Sequence, residues 1–229
     1  MKDGRNKISV VIASLDEEEG IGLTIEELQR NLGYPHIIVV DGKSVDKTAE
    51  IAKNMGAEVF LQEGKGKGDA LFQGFKRLSP EDQYVIFTDA DFTYPAEYLP
   101  KMIAVLDQDA QVGMVIGNRF KGENSQKSLT NAFYLGNRLL AFAQHAVNGI
   151  KLEDPLSGLR VVRGNILEGW KPKSKGFDVE AELNYRVEQK GFKIVEIPID
   201  YRVRLGEKKL KLRHGFGILK RIISESFYT

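Results

Sequence analysis

Residues 84–91 read Tyr84-Val85-Ile86-Phe87-Thr88-Asp89-Ala90-Asp91, an apolar run of strand length followed at once by two carboxylates. Runs rich in β-branched and aromatic residues are typical of buried strands. Two aspartates separated by one small residue can both approach a hard cation, and Mg²⁺ or Mn²⁺ completes its shell with phosphate oxygens and water. We therefore predict a strand that ends at a metal site formed by Asp89 and Asp91. The alternative is a turn-capping Asp89 beside an exposed Asp91.

On both sides of this stretch, apolar strand-like runs alternate with helical patterns. The other strand-like runs are 8–13, 37–40, 57–61, 112–116, 161–162 and 193–199. Such alternation is typical of α/β proteins with a mostly parallel sheet and helices on its faces. One helix is predicted from Ser44, a plausible N-cap, to Asn54. No internal repeat or low-complexity linker is found, so we predict a single domain over residues 1–229, with a flexible N-terminus at 1–7.

The composition excludes several classes of protein. The hydrophobic fraction of 42% is ample for a core, and the net charge of +1 argues against a nucleic-acid binder. The chain has no cysteine, so disulfides, thiolate zinc sites and cysteine nucleophiles are excluded. The polar start at Met1–Lys7 lacks the apolar core of a signal peptide, and no window is apolar for long enough to span a bilayer. We expect a cytoplasmic protein that is soluble or bound at a membrane surface.

Polar side chains follow several of the predicted strands. In open α/β sheets, ligands bind beyond the carboxyl ends of the strands, so these side chains are expected to share one cleft. Asp41 is a candidate for base or ribose recognition, and the alternative is an ordinary Asp-Gly turn. The glycine-lysine loop 64–68, with Asp69 after it, is either a phosphate cradle that includes Lys67 or a surface loop.

Taken together, these segments resemble family 2 glycosyltransferases of the GT-A fold, and among them the dolichyl-phosphate mannose or glucose synthases. The stretches that carry the resemblance are VVIASLDEE (10–18), VVDGKSVDKT (39–48), GKGDAL (66–71), DAD (89–91), GNRF (117–120), DPLSGLR (154–160) and residues 201–210. The resemblance implies a Rossmann-like GT-A domain. It also implies inverting transfer of mannose or glucose from GDP-mannose or UDP-glucose to a polyprenyl (dolichyl) phosphate.

The resemblance also suggests which residues bind the nucleotide-sugar donor. Ala13, Leu15 and Glu17 fall where the family contacts the base. Asp41 is at the position where the family contacts the base or ribose. Asp89 and Asp91 are at the positions where the family binds the cation and the diphosphate. Lys67, Asp69 and Ala90 complete the predicted donor site. The chain departs from the family by having Ala13-Ser14-Leu15-Asp16 in place of Pro-Thr-Tyr-Asn, and Thr93 in place of a glutamine that helps to hold the metal.

The predicted acceptor site depends on what the acceptor is. A phosphate is already an anion near neutral pH, so it needs positioning and charge neutralisation rather than a base. For that role we predict Arg119, Arg138, Arg204 and Lys209, since guanidinium groups match phosphate geometry. An alcohol acceptor would need a base, and Asp154 is the candidate; otherwise Asp154 anchors a turn. The predicted catalytic residues are Asp91, Arg119 and Asp154.

Two amphipathic segments bear on the location of the protein. Residues 130–147 are predicted to form an amphipathic helix, and residues 208–229 mix basic and apolar residues at helical spacing. Both either lie on a membrane surface, where a lipid acceptor would be met, or pack against the domain.

Three other functions compete with lipid glycosylation. The first is sugar transfer to a soluble or polysaccharide acceptor, and the second is non-catalytic nucleotide binding. The third is a sugar nucleotidyltransferase, which usually has a glycine-rich, arginine-bearing loop after its first strand, where this chain has Ser14-Leu15-Asp16-Glu17.

Overall fold

The computed structural model describes residues 7–123, 131–207, 209 and 214–225. Its strands are β1 (Ile8–Ser14), β2 (His36–Asp41), β3 (Glu58–Leu61), β4 (Tyr84–Asp89), β5 (Val112–Asn118), β6 (Arg160–Arg163) and β7 (Lys193–Pro198). Its helices are α1 (Ile21–Leu32), α2 (Thr48–Asn54), α3 (Lys67–Phe75), α4 (Leu99–Gln108), α5 (Asn131–Asn148), α6 (Gly164–Leu167), α7 (Val179–Gln189) and α8 (His214–Glu225), with a 3₁₀ turn at Ala96–Tyr98 before α4.

The seven strands form one sheet in the order β3-β2-β1-β4-β6-β5-β7. Strand β6 is antiparallel to its neighbours β4 and β5, and the remaining pairs are parallel. The predicted mixed, mostly parallel sheet of an α/β protein is therefore confirmed. Because β1, β2 and β4 are adjacent and parallel, the loops that follow them meet at one edge of the sheet.

Successive side chains of each strand point to opposite faces of the sheet, so the core has two parts, one on each face. Val10 and Ile12 of β1 pack on one face with residues of α1 and α4, whereas Val11 packs on the other with α3 and α7. All three are fully buried. Burial of each such side chain contributes about 1.5–3 kcal/mol, so a one-residue shift of β1 would be strongly disfavoured. The core thus determines which residues of β1 and β4 reach the carboxyl edge.

Helix α2 begins at Thr48, so the predicted start at Ser44 is wrong. The backbone N–H of Ser44 donates to Asp41 at 2.9 Å, and its hydroxyl donates to the same carboxylate at 2.5 Å. Lys43 before it has a left-handed φ of 68°, and residues 45–47 form a bend that ends where the helix begins. The serine therefore organises the loop after β2 instead of capping a helix.

The amphipathic helix predicted at 130–147 forms as α5, which packs beside α8. Leu140, Ala181, Ile218 and Ile222 form the apolar cluster that joins α5, α7 and α8. Within the described residues, no helix has both the length and the apolar character to cross a membrane. Of the predicted flexible N-terminus, only Lys7 is among the described residues. Of the predicted C-terminal segment, 208, 210–213 and 226–229 lie outside them.

Candidate active site

The carboxyl ends of β1, β2 and β4 bring the predicted donor residues to one edge of the sheet. Ala13 of β1 is in register with Asp89 of β4, and Ser14 is in register with Asp41 of β2. Ala90 is buried behind Asp89. The sheet therefore places the strand-end carboxylates on the two strands that flank β1, at the same edge, as the sequence predicts.

Lys67 links Asp89 to a carboxylate that the sequence analysis missed. Its ammonium lies 2.6 Å from Asp89 Oδ1 and 2.8 Å from Glu180 Oε1. Lys67 is the first residue of α3, and Glu180 is the second residue of α7. Burial disfavours the charged form of Lys67, but the two carboxylates outweigh it and raise the pKa of Lys67. One buried cation is thus shared between two anions.

Arg204 makes a similar bridge on the other side of the cleft. Its guanidinium donates to Asp91 Oδ2 and to Glu17 Oε1. Two backbone hydrogen bonds join residues 202–205 to the loop after β4. The N–H of Arg202 donates to Thr93 O, and the N–H of Leu205 donates to Asp91 O. Arg204, predicted to bind the acceptor phosphate, therefore lies against the predicted metal ligand.

Acidic groups outnumber basic groups in this cluster. Four carboxylates, those of Glu17, Asp89, Asp91 and Glu180, are in direct contact with two cations, Lys67 and Arg204, so each cation is shared between two acidic groups. Burial and the charge of Asp89 raise the pKa of Asp91, even though Arg204 opposes the rise. Burial also raises the pKa of Glu17 to about 7.

A divalent cation fits this arrangement. Its charge would offset the repulsion between Asp89 and Asp91, and hard carboxylate oxygens are the ligands that Mg²⁺ and Mn²⁺ prefer. Asp89 Oδ1 is taken by Lys67, while the Asp89 side chain remains 29% exposed. Among the described residues, no three acidic or histidine side chains form a metal cage. Asp89 and Asp91 are thus the protein ligands that could hold the ion, with water and diphosphate oxygens completing its shell.

Thr93, at the position where the sequence predicts a lost metal ligand, contacts the carboxylate of Asp91. Its hydroxyl donates to Asp91 Oδ1 at 2.6 Å, and its N–H donates to the same oxygen at 3.1 Å. Thr93 is fully buried. It therefore orients the Asp91 carboxylate from behind.

The residues predicted to contact the nucleotide include a buried carboxylate, Asp41, and an exposed apolar side chain, Leu15. Asp41 is 1% exposed and accepts hydrogen bonds from the hydroxyls of Ser14 and Ser44. Leu15 is 42% exposed at the edge of the cleft. Lys209 lies 4.0 Å from Asp16, which places this predicted acceptor residue beside the loop after β1.

The glycines of loop 64–68 serve close packing. A Cβ on Gly66 would collide with the carbonyl oxygen of Lys175, and one on Gly68 with that of Ser174. Asp69 accepts hydrogen bonds from Gln62 at 2.8 Å and from Gln73 at 2.7 Å, so it supports the loop. These contacts explain the glycines without a phosphate, and Lys67 is the side chain of this loop that reaches the strand-end carboxylates.

Arg119 and Asp154 form a two-pronged ion pair at the end of β5. The guanidinium donates to Asp154 Oδ2 at 2.7 Å and to Oδ1 at 2.6 Å, and the N–H of Arg119 adds a bond to Oδ2 at 3.0 Å. Asp154 is fully buried. Both of its oxygens are thus occupied by Arg119. Arg138, on α5, is exposed. The pKa of Glu153 is lowered mainly by Lys121, against the effect of burial, and the charge of Arg138 lowers it further.

The loop that contains Asp154 also approaches the carboxylate of Asp89. A Cβ on Gly158 would lie 2.8 Å from Asp89 Oδ2, so this position has no room for a side chain. The N–H of Gly158 donates to the hydroxyl of Tyr94 at 2.7 Å. The pair Arg119–Asp154, predicted to serve the acceptor, and the pair Asp89–Asp91, predicted to serve the donor, are therefore parts of one connected site.

The mostly parallel α/β sheet with paired aspartates at the end of a central strand is the arrangement found in glycosyltransferases of the GT-A fold. The chain belongs to glycosyl transferase family 2, whose family model matches residues 9–169. It is 37% identical over 209 residues to a dolichyl-phosphate hexose transferase of Haloferax volcanii, covering 89% of this chain and 86% of that protein. The resemblance inferred from the motifs is thus confirmed.

Two further relatives extend the comparison. A dolichol-phosphate mannosyltransferase of Pyrococcus furiosus is 29% identical over 232 residues, which cover 93% of this chain but 64% of that protein. The fold is similar to that of glucosyl-3-phosphoglycerate synthase from Mycobacterium tuberculosis, solved with Mn²⁺, UDP-glucose and phosphoglyceric acid. That match has a TM-score of 0.74 and 23% identity, and it covers 99% of this chain and 81% of the other.

Proposed function

We propose that this enzyme transfers a hexose from a nucleoside-diphosphate sugar, GDP-mannose or UDP-glucose, to a polyprenyl phosphate. The names of the Haloferax and Pyrococcus relatives support a dolichyl-type acceptor. The observation that carries the proposal is the pairing of Arg119 with Asp154. Both oxygens of Asp154 accept hydrogen bonds from Arg119, so this carboxylate is an anchor and not a free base for an alcohol.

The reaction needs little proton transfer when the acceptor is a phosphate. An acceptor oxygen forms a bond to C1 of the hexose, the bond from C1 to the donor diphosphate breaks, and the nucleoside diphosphate leaves with inversion at C1. Arg119, held rigidly by Asp154, orients the acceptor phosphate through its remaining guanidinium N–H groups. The nucleoside would lie against the rim at Leu15 and the loop that Asp41 organises, and Asp89 and Asp91 would hold Mg²⁺ or Mn²⁺. When bound, that cation offsets the charge that builds on the diphosphate.

The exposed apolar side chains of α5 suit a lipid acceptor. Leu135, Leu139 and Phe142 are 62–70% exposed and lie on one face at helical spacing. The same helix reaches the acceptor side of the site, because the ring of Tyr134 packs on that of Phe120, next to Arg119, with centroids 4.9 Å apart. We propose that this face lies on the cytoplasmic surface of a membrane and guides the acceptor phosphate to Arg119.

A matrix of radiolabelled GDP-mannose and UDP-glucose against polyprenyl phosphate, with Mn²⁺ or with chelator, tests the proposal. Label should enter the lipid phase only when metal and polyprenyl phosphate are both present. Label found only in water-soluble products would overturn the acceptor, and transfer that survives the chelator would overturn the metal. Asp91→Asn should abolish transfer. Asp82→Asn, in the loop at the opposite end of β4, is the matched control and should retain it.

A further inference from the structure

Glu180 is a buried carboxylate of the site that no part of the proposed reaction uses. It is 6% exposed at the start of α7, and its Oε1 lies 2.8 Å from the ammonium of Lys67. Its Oε2 makes no hydrogen bond with any described residue. An anion buried this deeply is costly unless it is paired, and Lys67 is the cation whose side chain contacts it.

Backbone packing holds Glu180 and Lys67 in place. Gly66 and Gly68 approach the carbonyls of Lys175 and Ser174, and the N–H of Asp69 donates to Lys175 O at 3.3 Å. The start of α3 therefore packs directly against the backbone of the residues just before α7. The Lys67 ammonium lies between Asp89 and Glu180 as a result, at nearly equal distances from both.

We propose that Glu180 is a positioning residue for the metal site, which keeps the Lys67 ammonium shared and so leaves Asp89 able to bind a divalent cation. The inference rests on the proposed metal-dependent function. Without the Glu180 charge, Lys67 would have Asp89 as its one anionic partner and would compete with the metal for it. Outer residues that act through a ligand in this way commonly change metal affinity by tenfold or more.

A double-mutant cycle on metal affinity tests this inference. Mn²⁺ alone is titrated into the full chain by calorimetry for wild type, Glu180→Gln, Lys67→Met and the double variant. Glu180→Gln should weaken Mn²⁺ binding by about tenfold when Lys67 is present and by less than about twofold when residue 67 is methionine. An equal effect in both backgrounds would mean that Glu180 acts directly on the ion, and no effect would mean that its role is purely structural. Either result overturns the inference.

Glu182→Gln is the matched control. Glu182 is also buried on α7, but it accepts the N–H groups of Lys173 and Ser174 and does not contact Lys67. Its variant should lower the melting temperature and leave the Mn²⁺ affinity unchanged. If Glu180→Gln fails to fold, Glu180→Asp keeps the charge, shortens the side chain and should weaken Mn²⁺ binding in the same direction. Wild-type affinity in that variant would overturn the inference.

The same titrations separate this inference from the proposed function. Wild-type protein that does not bind Mn²⁺, and that transfers sugar in chelator, contradicts both. Wild-type protein that binds Mn²⁺ and needs it for transfer, combined with a cycle that shows no coupling, contradicts only the role of Glu180.

Discussion

The guanidinium of Arg204 contacts the carboxylate of Asp91, so a cation predicted to bind the acceptor lies on a predicted metal ligand. The same guanidinium contacts Glu17, in the loop after β1. Arg204 therefore offsets part of the negative charge of Asp91 and Glu17. Binding of an ion at Asp91 would release part of this guanidinium and make it available to a phosphate.

The first prediction is that Arg204→Met binds Mn²⁺ about tenfold more tightly than wild type, because a competing cation is removed. Calorimetric titration without nucleotide measures this, and transfer to polyprenyl phosphate should fall in the same variant. Arg202→Met is the control, since Arg202 pairs with Glu27 and not with Asp91. Unchanged Mn²⁺ affinity in Arg204→Met would show that the arginine does not compete with the ion.

The second prediction concerns the ion pair of Arg119 and Asp154. Asp154→Asn leaves the Arg119 charge buried without its partner, so it should lower the free energy of unfolding by about 3–5 kcal/mol. Urea unfolding measures the loss. Glu153→Gln removes a half-exposed neighbour that pairs with Lys121, and it should cost less than about 1 kcal/mol. A catalytic base at Asp154 would instead lose turnover at wild-type stability.

The third prediction is a pH dependence that comes from Glu17. Burial raises its pKa from the usual 4.5 to about 7. Between these values the folded protein keeps a proton that the unfolded chain has released, so stability falls as the pH rises. Relative to Glu17→Gln, the wild-type free energy of unfolding should drop by up to about 3 kcal/mol between pH 4.5 and 8. Parallel curves for the two proteins, measured by urea unfolding without metal, would contradict the shift.

The sheet could be predicted from sequence because its strands are apolar runs bounded by polar residues. The strand-end aspartates could be predicted too, since parallel strands bring their carboxyl ends to one edge. Asp89 and Asp41 reach that edge as expected, on the strands flanking β1.

Residues that depend on pairing across long sequence distances could not be predicted. Glu180 lies among acidic residues at the start of α7, which is an ordinary pattern for a helix N-terminus. Its partner Lys67 is more than one hundred residues away in the chain, and only the folded backbone brings them together. The role of Ser44 was obscured in the same way, because a serine before a helical pattern resembles an N-cap whether or not it binds Asp41.

The last prediction concerns the apolar face of α5. Leu139 and Phe142 are 62% and 69% exposed, so replacing both with glutamate should leave the melting temperature within about 2 °C of wild type. Binding to anionic vesicles should nevertheless fall by more than about tenfold, because apolar area is lost and like charge is added. Sedimentation with vesicles measures it. Leu61→Glu, at a 67% exposed site on the edge strand β3, is the control and should still bind vesicles. Vesicle binding by the α5 variant equal to that of wild type would place the membrane contact elsewhere on the protein. The proposal that the lipid reaches Arg119 along this helix would then lose its support.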